Sequence, residues 1–392
     1  MNIAIFTDSF FPGIGGTEKA VFGLADALKK ANHNVLVACP KYKIKENRNY
    51  DFFVLRAKSL KLTQNDYYAF PSLTKDFKKA LQDFSPDIIH CQSVSPMASF
   101  AIKYAKKHNI PVIFTVHTKF RTAFSRSIKS KLIVNMLIKN ITSKLNKAQK
   151  VFTVSNDMKQ ELLSYGYKKD VTVIRNGCTF DKSLINVKNK HLAQKTYNLK
   201  QKTYVLLYVG HIVKFKNLQF LLDAIKILTT KMKNFRLLMV GKGLDDEYFK
   251  KYVQDNDLTS FVTFTGEITD NNMLSSIYKN ADLYLFPSIF DNDSLTIVES
   301  AFHKIPSLVI ENTGSSERIT NNVSGFLSKN DVAEYANNIK KILKDKKLLT
   351  DVGKNAKKMI PMEWSDTASM YQKEYEKLLK WQQKNAYTQI QT

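Results

Sequence analysis

The chain repeats one pattern through most of its length, a short apolar stretch followed by a longer amphipathic one. Near-continuous apolar stretches such as Ile3–Phe6 and Val112–Val116 are typical of strands that are buried on both faces. The segment that begins at Thr17 instead has helical periodicity, with Leu24 and Leu28 on one face. Because parallel strands need a crossover connection, this alternation predicts an α/β fold with doubly wound parallel sheets.

The pattern lapses once, in a polar segment rich in Lys and Asn from Thr179 to about Gln201, which we interpret as a linker. A chain of 392 residues exceeds one ordinary core and suits two domains of about 150–200 residues each. We therefore predict an N-terminal domain at 1–185, a C-terminal domain at 186–364 and a returning helix at 365–392. Ligands of such sheets bind beyond the carboxyl ends of the strands, so we expect a site in a cleft between the domains.

No apolar run approaches the ~20 residues that a membrane-spanning helix needs, and the chain starts with a strand-like stretch rather than a signal peptide. The cysteines, Cys39, Cys91 and Cys178, lie far apart and form no C-x-x-C pair. This spacing fits a reducing compartment and argues against a disulfide framework or a zinc site. We therefore expect a soluble, cytoplasmic protein.

The formal net charge of +25 has two possible origins. One is a compositional bias toward Lys, Asn and Ile, and the other is attraction to an anionic partner such as a membrane, a nucleic acid or a phosphorylated substrate. The segment Lys119–Lys150 contains nine basic residues and no acidic one. Within it, an apolar stripe edged by lysines is typical of a helix that lies on a membrane surface; its members are Leu132, Ile133, Met136, Leu137 and Ile141. A core-packed helix with a solvated lysine face is the alternative.

The stretch Phe286–Ala301 combines the end of an apolar strand, a polar loop and the start of a helix. Unpaired backbone amides and the helix dipole make such a junction an anion site. Two carboxylates, Asp291 and Glu299, lie eight residues apart in it. Carboxylates beside an anion site make chemical sense when the ligand also carries hydroxyl groups, as a sugar or a ribose does.

Other predicted strands also end in loops with candidate site residues. Gly15 and Gly16 precede the first helix, where glycine allows close backbone approach or simply a turn. His117 follows Val112–Val116, and a histidine there is either functional or structural. In the second half, a loop with His211, Lys214 and Lys216 offers cations for a diphosphate, and Gly241 follows the next strand; an exposed basic loop is the alternative.

Taken in order, these residues resemble a family 4 glycosyltransferase, in particular the diacylglycerol glucosyltransferase-like branch. The motifs that carry the resemblance are G-G-x-E at Gly15–Glu18, H-T at His117–Thr118, V-S at Val154–Ser155, R-N-G at Arg175–Gly177, G-x-x-x-x-x-K-N at Gly210–Asn217, G-x-G at Gly241–Gly243, an acid and Glu at Asp291 and Glu299, G-S-x-E at Gly314–Glu317, and W-S at Trp364–Ser365. The resemblance implies a GT-B architecture, two Rossmann-like domains facing a cleft with a C-terminal helix that crosses back to the N-terminal domain. It also implies retaining transfer of a hexose from a nucleotide-diphosphate sugar, with a UDP-sugar as the expected donor and no cofactor or metal.

The resemblance also assigns roles to individual residues. It implies that Lys216, Asp291 and His117 are catalytic, acting on the diphosphate, the transferred sugar and the sugar–acceptor side respectively. It implies a set of substrate-binding residues: Gly15, Gly16, His211, Lys214, Gly241, Asn292, Ser294, Leu295 and Glu299. Two positions depart from the family pattern, because His211 stands where arginine is usual and Asp291 stands where glutamate is usual.

The expected acceptor is a membrane lipid such as diacylglycerol, with a cell-surface glycan or a protein as the alternative. A lipid acceptor would place the protein peripherally on the inner face of the membrane, in contact through Lys119–Lys150. A nucleic-acid binder is the alternative from another class, but only Phe120 and Phe124 offer aromatics among the basic residues. A nicotinamide dehydrogenase is disfavoured, because Glu18 occupies the position of the third glycine of the dinucleotide fingerprint.

Overall fold

The computed structural model describes residues 1–13, 15–43, 48–62, 67–178, 190–200 and 202–390. It divides into two compact units, one formed by Met1–Thr179 with Met362–Thr392 and the other by Phe180–Pro361. The predicted domain boundary between residues 185 and 186 lies outside the described residues.

The first unit is built on a parallel sheet with the strand order β3-β2-β1-β6-β7-β8-β9. Its strands are β1 Asn2–Phe6, β2 Asn34–Pro40, β3 Phe53–Ala57, the hairpin pair β4 Ser59–Lys61 and β5 Tyr67–Ala69, β6 Ile88–Cys91, β7 Val112–Val116, β8 Lys150–Thr153 and β9 Val171–Val173. Its helices are α1 Gly16–Lys30, α2 Lys75–Phe84, α3 Pro96–His108, α4 Phe120–Ser127, α5 Lys131–Leu145 and α6 Asn156–Ser164. The central strands are buried on both faces, which is why they are apolar almost throughout.

The second unit contains a parallel sheet with the order β12-β11-β10-β13-β14-β15. Its strands are β10 Tyr204–Val209, β11 Phe235–Val240, β12 Val262–Gly266, β13 Leu283–Phe286, β14 Ser307–Ile310 and β15 Phe326–Ser328. Its helices are α7 Lys190–Thr196, α8 Leu218–Lys231, α9 Asp246–Asp255, α10 Asn271–Asn280, α11 Leu295–Phe302, α12 Val332–Lys344 and α13 Lys346–Met359. This order reverses between β10 and β13, and a doubly wound sheet binds its ligands at such a reversal.

The last helix, α14 at Trp364–Ile390, packs onto the first unit. Trp364 and Tyr375 share a buried apolar cluster with Ile3 and Ile5 of β1. Gly23 of α1 makes room for the indole, since a Cβ atom there would lie 2.2 Å from the Trp364 ring. The predicted return of the C-terminal helix to the N-terminal domain is confirmed, as are the parallel sheets.

Two sequence predictions need correction. The segment predicted as a linker contains α7, whose Ala193 is fully buried and donates its amide to Ser276 Oγ at 2.9 Å. A short helix in a Lys/Asn-rich context shows too few apolar positions for periodicity to reveal it. The predicted apolar stripe of α5 is split, because Leu132, Ile133 and Met136 are exposed whereas Ile141 is buried, as are Val134 and Ile138. Part of the helix therefore packs into the core, and another part leaves apolar side chains at the surface.

Candidate active site

Lys216 and Asp291 meet where the second sheet reverses its strand order. Lys216 ends the 3-10 helix Lys214–Lys216 after β10, and Asp291 lies in the loop after β13, the strand paired with β10. The Nζ atom of Lys216 is 2.5 Å from Oδ1 of Asp291, and the two side chains are 19% and 24% exposed. The second oxygen, Oδ2, is buried and accepts no hydrogen bond from the residues described by the structure. A cation and an acceptor oxygen thus lie together at the expected ligand position.

Asp293 has a different partner from Asp291, although the two are close in sequence. Arg318 forms a two-pronged ion pair with it, Nε to Oδ1 and Nη2 to Oδ2 at 2.8 Å, and both side chains are almost fully buried. Arg318 closes the 3-10 helix Gly314–Arg318, in which Ser315 Oγ donates to the main-chain oxygen of Asp291 at 3.2 Å. The turn after β14 therefore fixes the Asp291 loop. The sequence from 291 to 293 has the form of a D-x-D metal motif, yet its second carboxylate is bound by Arg318.

Helix α11 begins directly after this loop. Ser294 is its N-cap residue, but the Ser294 side chain makes no capping hydrogen bond, and the first turn of the helix contains no acidic residue. Ser294 Oγ instead lies 2.9 Å from Thr296 Oγ1, which accepts a hydrogen bond of 2.6 Å from the Tyr284 hydroxyl. Leu295 follows the N-cap, and the buried Asn292 lies two residues before it. The first turn of α11 therefore contains no acidic side chain that would offset the positive end of the helix dipole, which suits an anion site.

Glu299 lies in α11 and is held by an aromatic pair. The Tyr278 hydroxyl donates to Glu299 Oε2 at 3.0 Å, and His303 stacks on the Tyr278 ring with centroids 4.8 Å apart. His303 Nδ1 lies 2.9 Å from the Glu299 main-chain oxygen. Burial lowers the pKa of His303, which favours the neutral ring. Burial also raises the pKa of Tyr284, and the charges of Glu299 and Asp291 raise it further; both carboxylates therefore act on one tyrosine.

The remaining predicted residues of this unit lie in the loops after β10 and β11. His211 is exposed, and its main-chain oxygen accepts a hydrogen bond of 3.0 Å from the Tyr208 hydroxyl. Lys214 Nζ lies 4.0 Å from the centroid of the Tyr248 ring, a cation–π contact that directs it toward α9. Gly241 has φ +136°, and a Cβ atom there would lie 2.0 Å from the Gly210 oxygen. Close approach of the two loops is therefore sufficient to require glycine at 241.

In the first unit, Gly15 and Gly16 lie in the loop after β1 and at the start of α1. A Cβ atom at Gly15 would lie 2.4 Å from Oε2 of Glu18, whose carboxylate folds back over the loop and accepts a hydrogen bond from Ser9 Oγ. At Gly16, a hypothetical Cβ would meet no atom within 4 Å from the described residues outside its chain neighbours and its own helix backbone. In the G-G-x-E motif the first glycine is therefore required by the Glu18 carboxylate, whereas space is open beside the second.

His117 lies just beyond β7 and is half-buried. Its Nε2 atom is 2.7 Å from Oε1 of Gln92, which follows β6 in the same sheet. Gln92 in turn contacts His90 of β6. His90 is fully buried and belongs to the interior.

The chemistry of these residues limits the ligands they fit. Across the ranges that the structure describes, no group of three or more His, Cys, Asp or Glu side chains is placed to hold a metal. Near the reversal of strand order between β10 and β13, Lys216 and the N-terminus of α11 suit phosphate groups. Glu299 and Asp291 offer carboxylate oxygens that can accept hydrogen bonds from hydroxyl groups. That combination fits a nucleoside diphosphate sugar. None of the described helices has both the length and the apolarity that crossing a membrane requires.

Several residues of the site were missed by sequence reasoning. Tyr278 and Gln92 contact the predicted residues Glu299 and His117 from other elements, and no local motif marks such contacts. Arg318 pairs with Asp293 in the loop that contains the predicted Asp291. Ser315 falls inside the G-S-x-E motif and could have been singled out from it. The buried arginine pairing is visible only once β13 and β14 are known to be neighbours.

Two family models match the chain. The Glycosyltransferase Family 4 model matches residues 14–182, and the Glycosyl transferases group 1 model matches residues 189–359. Each match lies almost wholly within one of the two units.

Curated relatives and solved structures agree with these models. Alpha-monoglucosyldiacylglycerol synthase of Streptococcus pneumoniae is 26% identical, over 83% of this chain and 75% of that protein. The synthase of the same name from Acholeplasma laidlawii is 22% identical, over 91% of this chain and 92% of that protein. Among solved structures, Anabaena Alr3699/HepE in complex with UDP and glucose has a TM-score of 0.76 at 16% identity, over 96% of this chain and 99% of that one. Sequence, fold and site geometry together lead to one conclusion: the chain belongs to the glycosyltransferases, with the GT-B fold, a family 4 domain and a group 1 domain.

Proposed function

We propose that the chain is a retaining glycosyltransferase that moves a hexose from a UDP-sugar to a hydroxyl group of a membrane lipid such as diacylglycerol. The proposed donor site rests on the Lys216–Asp291 ion pair beside the N-terminus of α11, in which Nζ lies 2.5 Å from Oδ1. The donor diphosphate binds to Lys216 and to the backbone amides near Asn292, Ser294 and Leu295. Glu299 then accepts from the ribose hydroxyls.

The proposed chemistry is electrostatic. The bond from the anomeric carbon to the diphosphate oxygen breaks, and its electron pair goes to the diphosphate, where Lys216 and the α11 terminus stabilise the added charge. The acceptor hydroxyl forms the new bond to the same face of the anomeric carbon and gives its proton to the departing phosphate oxygen. Asp291 holds hydroxyls of the transferred sugar, and His117 orients that sugar. His211 and Lys214 contribute weaker contacts to the diphosphate, and Gly15 and Gly16 contact the acceptor.

The proposed acceptor follows from the relatives and from the surface of α5. Two relatives are named for synthesis of monoglucosyldiacylglycerol. In α5, Leu132, Ile133 and Met136 are 81%, 44% and 62% exposed, and exposed Lys131 and Lys139 lie on the same helix. Exposed apolar side chains with adjacent lysines suit an anionic bilayer, where each basic residue adds about 1 kcal/mol. We therefore propose peripheral binding to the inner membrane face through α5.

A donor screen tests the first half of this proposal. Thermal unfolding would be followed with UDP-, GDP- and ADP-sugars, with NAD and an oligonucleotide as comparators. Binding at a hundredfold excess over Kd stabilises by about 2.7 kcal/mol, so the correct donor should raise the midpoint clearly. Product from the matching labelled sugar, analysed by NMR at the anomeric centre, reports whether configuration is retained. Stabilisation by NAD or the oligonucleotide alone would overturn the proposal.

Vesicle assays test the acceptor half. Sedimentation with anionic and neutral vesicles would compare the wild type with the variant Leu132→Ser/Met136→Ser and with Leu163→Ser, which alters an exposed leucine of α6. We expect the wild type and Leu163→Ser to prefer anionic vesicles, and we expect only the double variant to lose this preference. Equal partitioning to both vesicles, combined with sugar transfer to a soluble glycan, would instead favour a glycan acceptor.

A further inference from the structure

A chain of buried polar side chains connects His117 with the C-terminal helix. His117 Nε2 lies 2.7 Å from Gln92 Oε1, and Gln92 Nε2 lies 3.0 Å from His90 Nε2. On the far side of the imidazole, His90 Nδ1 lies 2.8 Å from the Tyr375 hydroxyl of α14. These contacts therefore run from the end of β7 through the end of β6 to Tyr375, which lies 285 residues after His90 in the sequence.

The donor and acceptor character of the amide gives the His117–Gln92 hydrogen bond a direction. A side-chain amide oxygen only accepts and its nitrogen only donates. His117 therefore donates from Nε2 to Gln92. Gln92 Nε2 lies 3.0 Å from His90 Nε2 and 3.4 Å from His90 Nδ1, so the amide N–H groups lie over the face of the imidazole ring. Hydroxyl groups hold that ring in place, because Tyr375 lies at Nδ1 while Thr115 Oγ1 lies 2.8 Å from Nε2 and 2.9 Å from the Tyr371 hydroxyl.

Burial keeps these side chains in place. His90, Thr115 and Tyr375 are fully buried and Gln92 is 4% exposed. Burial, with a further contribution from nearby His117, lowers the pKa of His90 to about 3, so the ring stays neutral near pH 7. Loss of either hydroxyl group would leave a buried ring nitrogen without its partner, which is unfavourable.

We propose that Gln92, His90 and Tyr375 are positioning residues that hold His117 with its proton on Nε2 and fix the orientation of its ring. The role of His117 in sugar transfer rests on the function proposed above, but the positioning does not. The C-terminal helix then has a function besides packing: its hydroxyl groups anchor the chain that orients a candidate catalytic histidine.

Histidine nitrogen NMR of the full-length, ¹⁵N-labelled protein tests the proposal directly. Spectra would be recorded at about pH 8.5, where an ordinary histidine is neutral, and His117→Gln would assign the His117 signals. We expect the wild type to show His117 as the Nε2-protonated tautomer. Gln92→Leu should convert this signal to a mixture of tautomers, and Tyr375→Phe should shift it in the same direction.

Two variants control for general disruption. Tyr167→Phe removes the hydroxyl of another buried tyrosine of the same unit, one with no hydrogen-bond partner among the residues described, and should leave the His117 signal unchanged. Gln92→Glu keeps an oxygen that can accept from His117 and should restore protonation at Nε2. An unchanged His117 tautomer in folded Gln92→Leu would overturn the positioning, as would an equal change in Tyr167→Phe.

A kinetic measurement separates this proposal from the proposed function. With an active donor, Tyr375→Phe should lower kcat by about tenfold, the scale of a small misplacement, and leave the donor KM within about twofold. Unchanged kcat beside an altered His117 tautomer would show that His117 is positioned but not catalytic, contradicting its role in the proposed function. The NMR result decides the positioning even if no donor is turned over.

Discussion

Lys216 and Asp291 are 75 residues apart in sequence, yet their side chains form an ion pair of 2.5 Å. The cause is topological, because β10 and β13 are neighbours at the reversal of strand order and each residue lies in the loop after its strand. The ammonium group is held in place before any ligand arrives. A diphosphate that binds here exchanges one anionic partner of Lys216 for another, which lowers the cost of desolvating the cation.

The first prediction concerns the loss of that cation. Lys216→Ala should lower kcat by about 10²-fold or more, since in the proposed mechanism it removes the group that stabilises charge formed in the transition state. Lys226→Ala, which removes an exposed lysine of α8 in the same unit, should leave kcat within about twofold. Steady-state rates of sugar transfer measure both variants. Equal rates for wild type and Lys216→Ala would remove Lys216 from the mechanism.

The second prediction concerns Tyr278, which sequence reasoning did not identify. Tyr278→Phe removes the hydroxyl that donates to Glu299 Oε2 at 3.0 Å without changing the ring that stacks on His303. We expect nucleotide affinity to fall by about 0.5–1.5 kcal/mol, the usual net contribution of one hydrogen bond. Isothermal titration calorimetry with the nucleoside diphosphate measures this change.

The matched control is Tyr335→Phe, which removes a buried hydroxyl that donates to the Leu308 main-chain oxygen in the same unit. It should reduce stability but leave nucleotide affinity unchanged. A 2′-deoxy nucleotide refines the test: if Glu299 binds the ribose, Tyr278→Phe should weaken the ribonucleotide more than the deoxy form. Equal weakening of both would contradict the ribose assignment.

The sequence was sufficient for the sheets and for the loops that follow their strands, because parallel strands buried on both faces leave an unmistakable apolar pattern. It was insufficient wherever a residue's role depends on a partner from another element. Lys214 and Lys216 look equivalent in sequence, but one contacts Tyr248 and the other Asp291. Asp291 and Asp293 differ in the same way, since only the latter faces Arg318. Periodicity reports which face is buried and does not report which groups meet.

The third prediction uses the Asp293–Arg318 pair, whose side chains are 1% and 3% exposed. Arg318→Met leaves the Asp293 carboxylate buried without its cation, so the second unit should lose about 3–5 kcal/mol of stability. Urea unfolding, followed by a probe in that unit, measures the loss. The double variant Asp293→Asn/Arg318→Met should recover part of it, because no buried charge remains. A double variant as unstable as the sum of the single variants would indicate that the two residues do not interact.

The fourth prediction concerns pH and His90. Burial lowers the pKa of His90 to about 3 in the folded state, whereas an unfolded histidine titrates near 6.5. Below about pH 6.5 the unfolded chain therefore binds a proton that the folded chain does not, and folding stability falls by about 1.4 kcal/mol for each further pH unit. Above pH 6.5 both states are neutral at this residue and its contribution does not change with pH.

His90→Gln tests this dependence, because it removes the titrating group and keeps polar atoms near Tyr375 and Thr115. We expect the variant to be less stable than the wild type at pH 7.5, yet to lose less stability between pH 6.5 and 4.5. The difference between the two slopes isolates His90 from the other groups that titrate in this range. His108→Gln, at an exposed histidine of α3, should retain the wild-type slope. Parallel stability curves for wild type and His90→Gln would show that His90 takes up its proton at the same pH in the folded and unfolded states, which would contradict the lowered pKa.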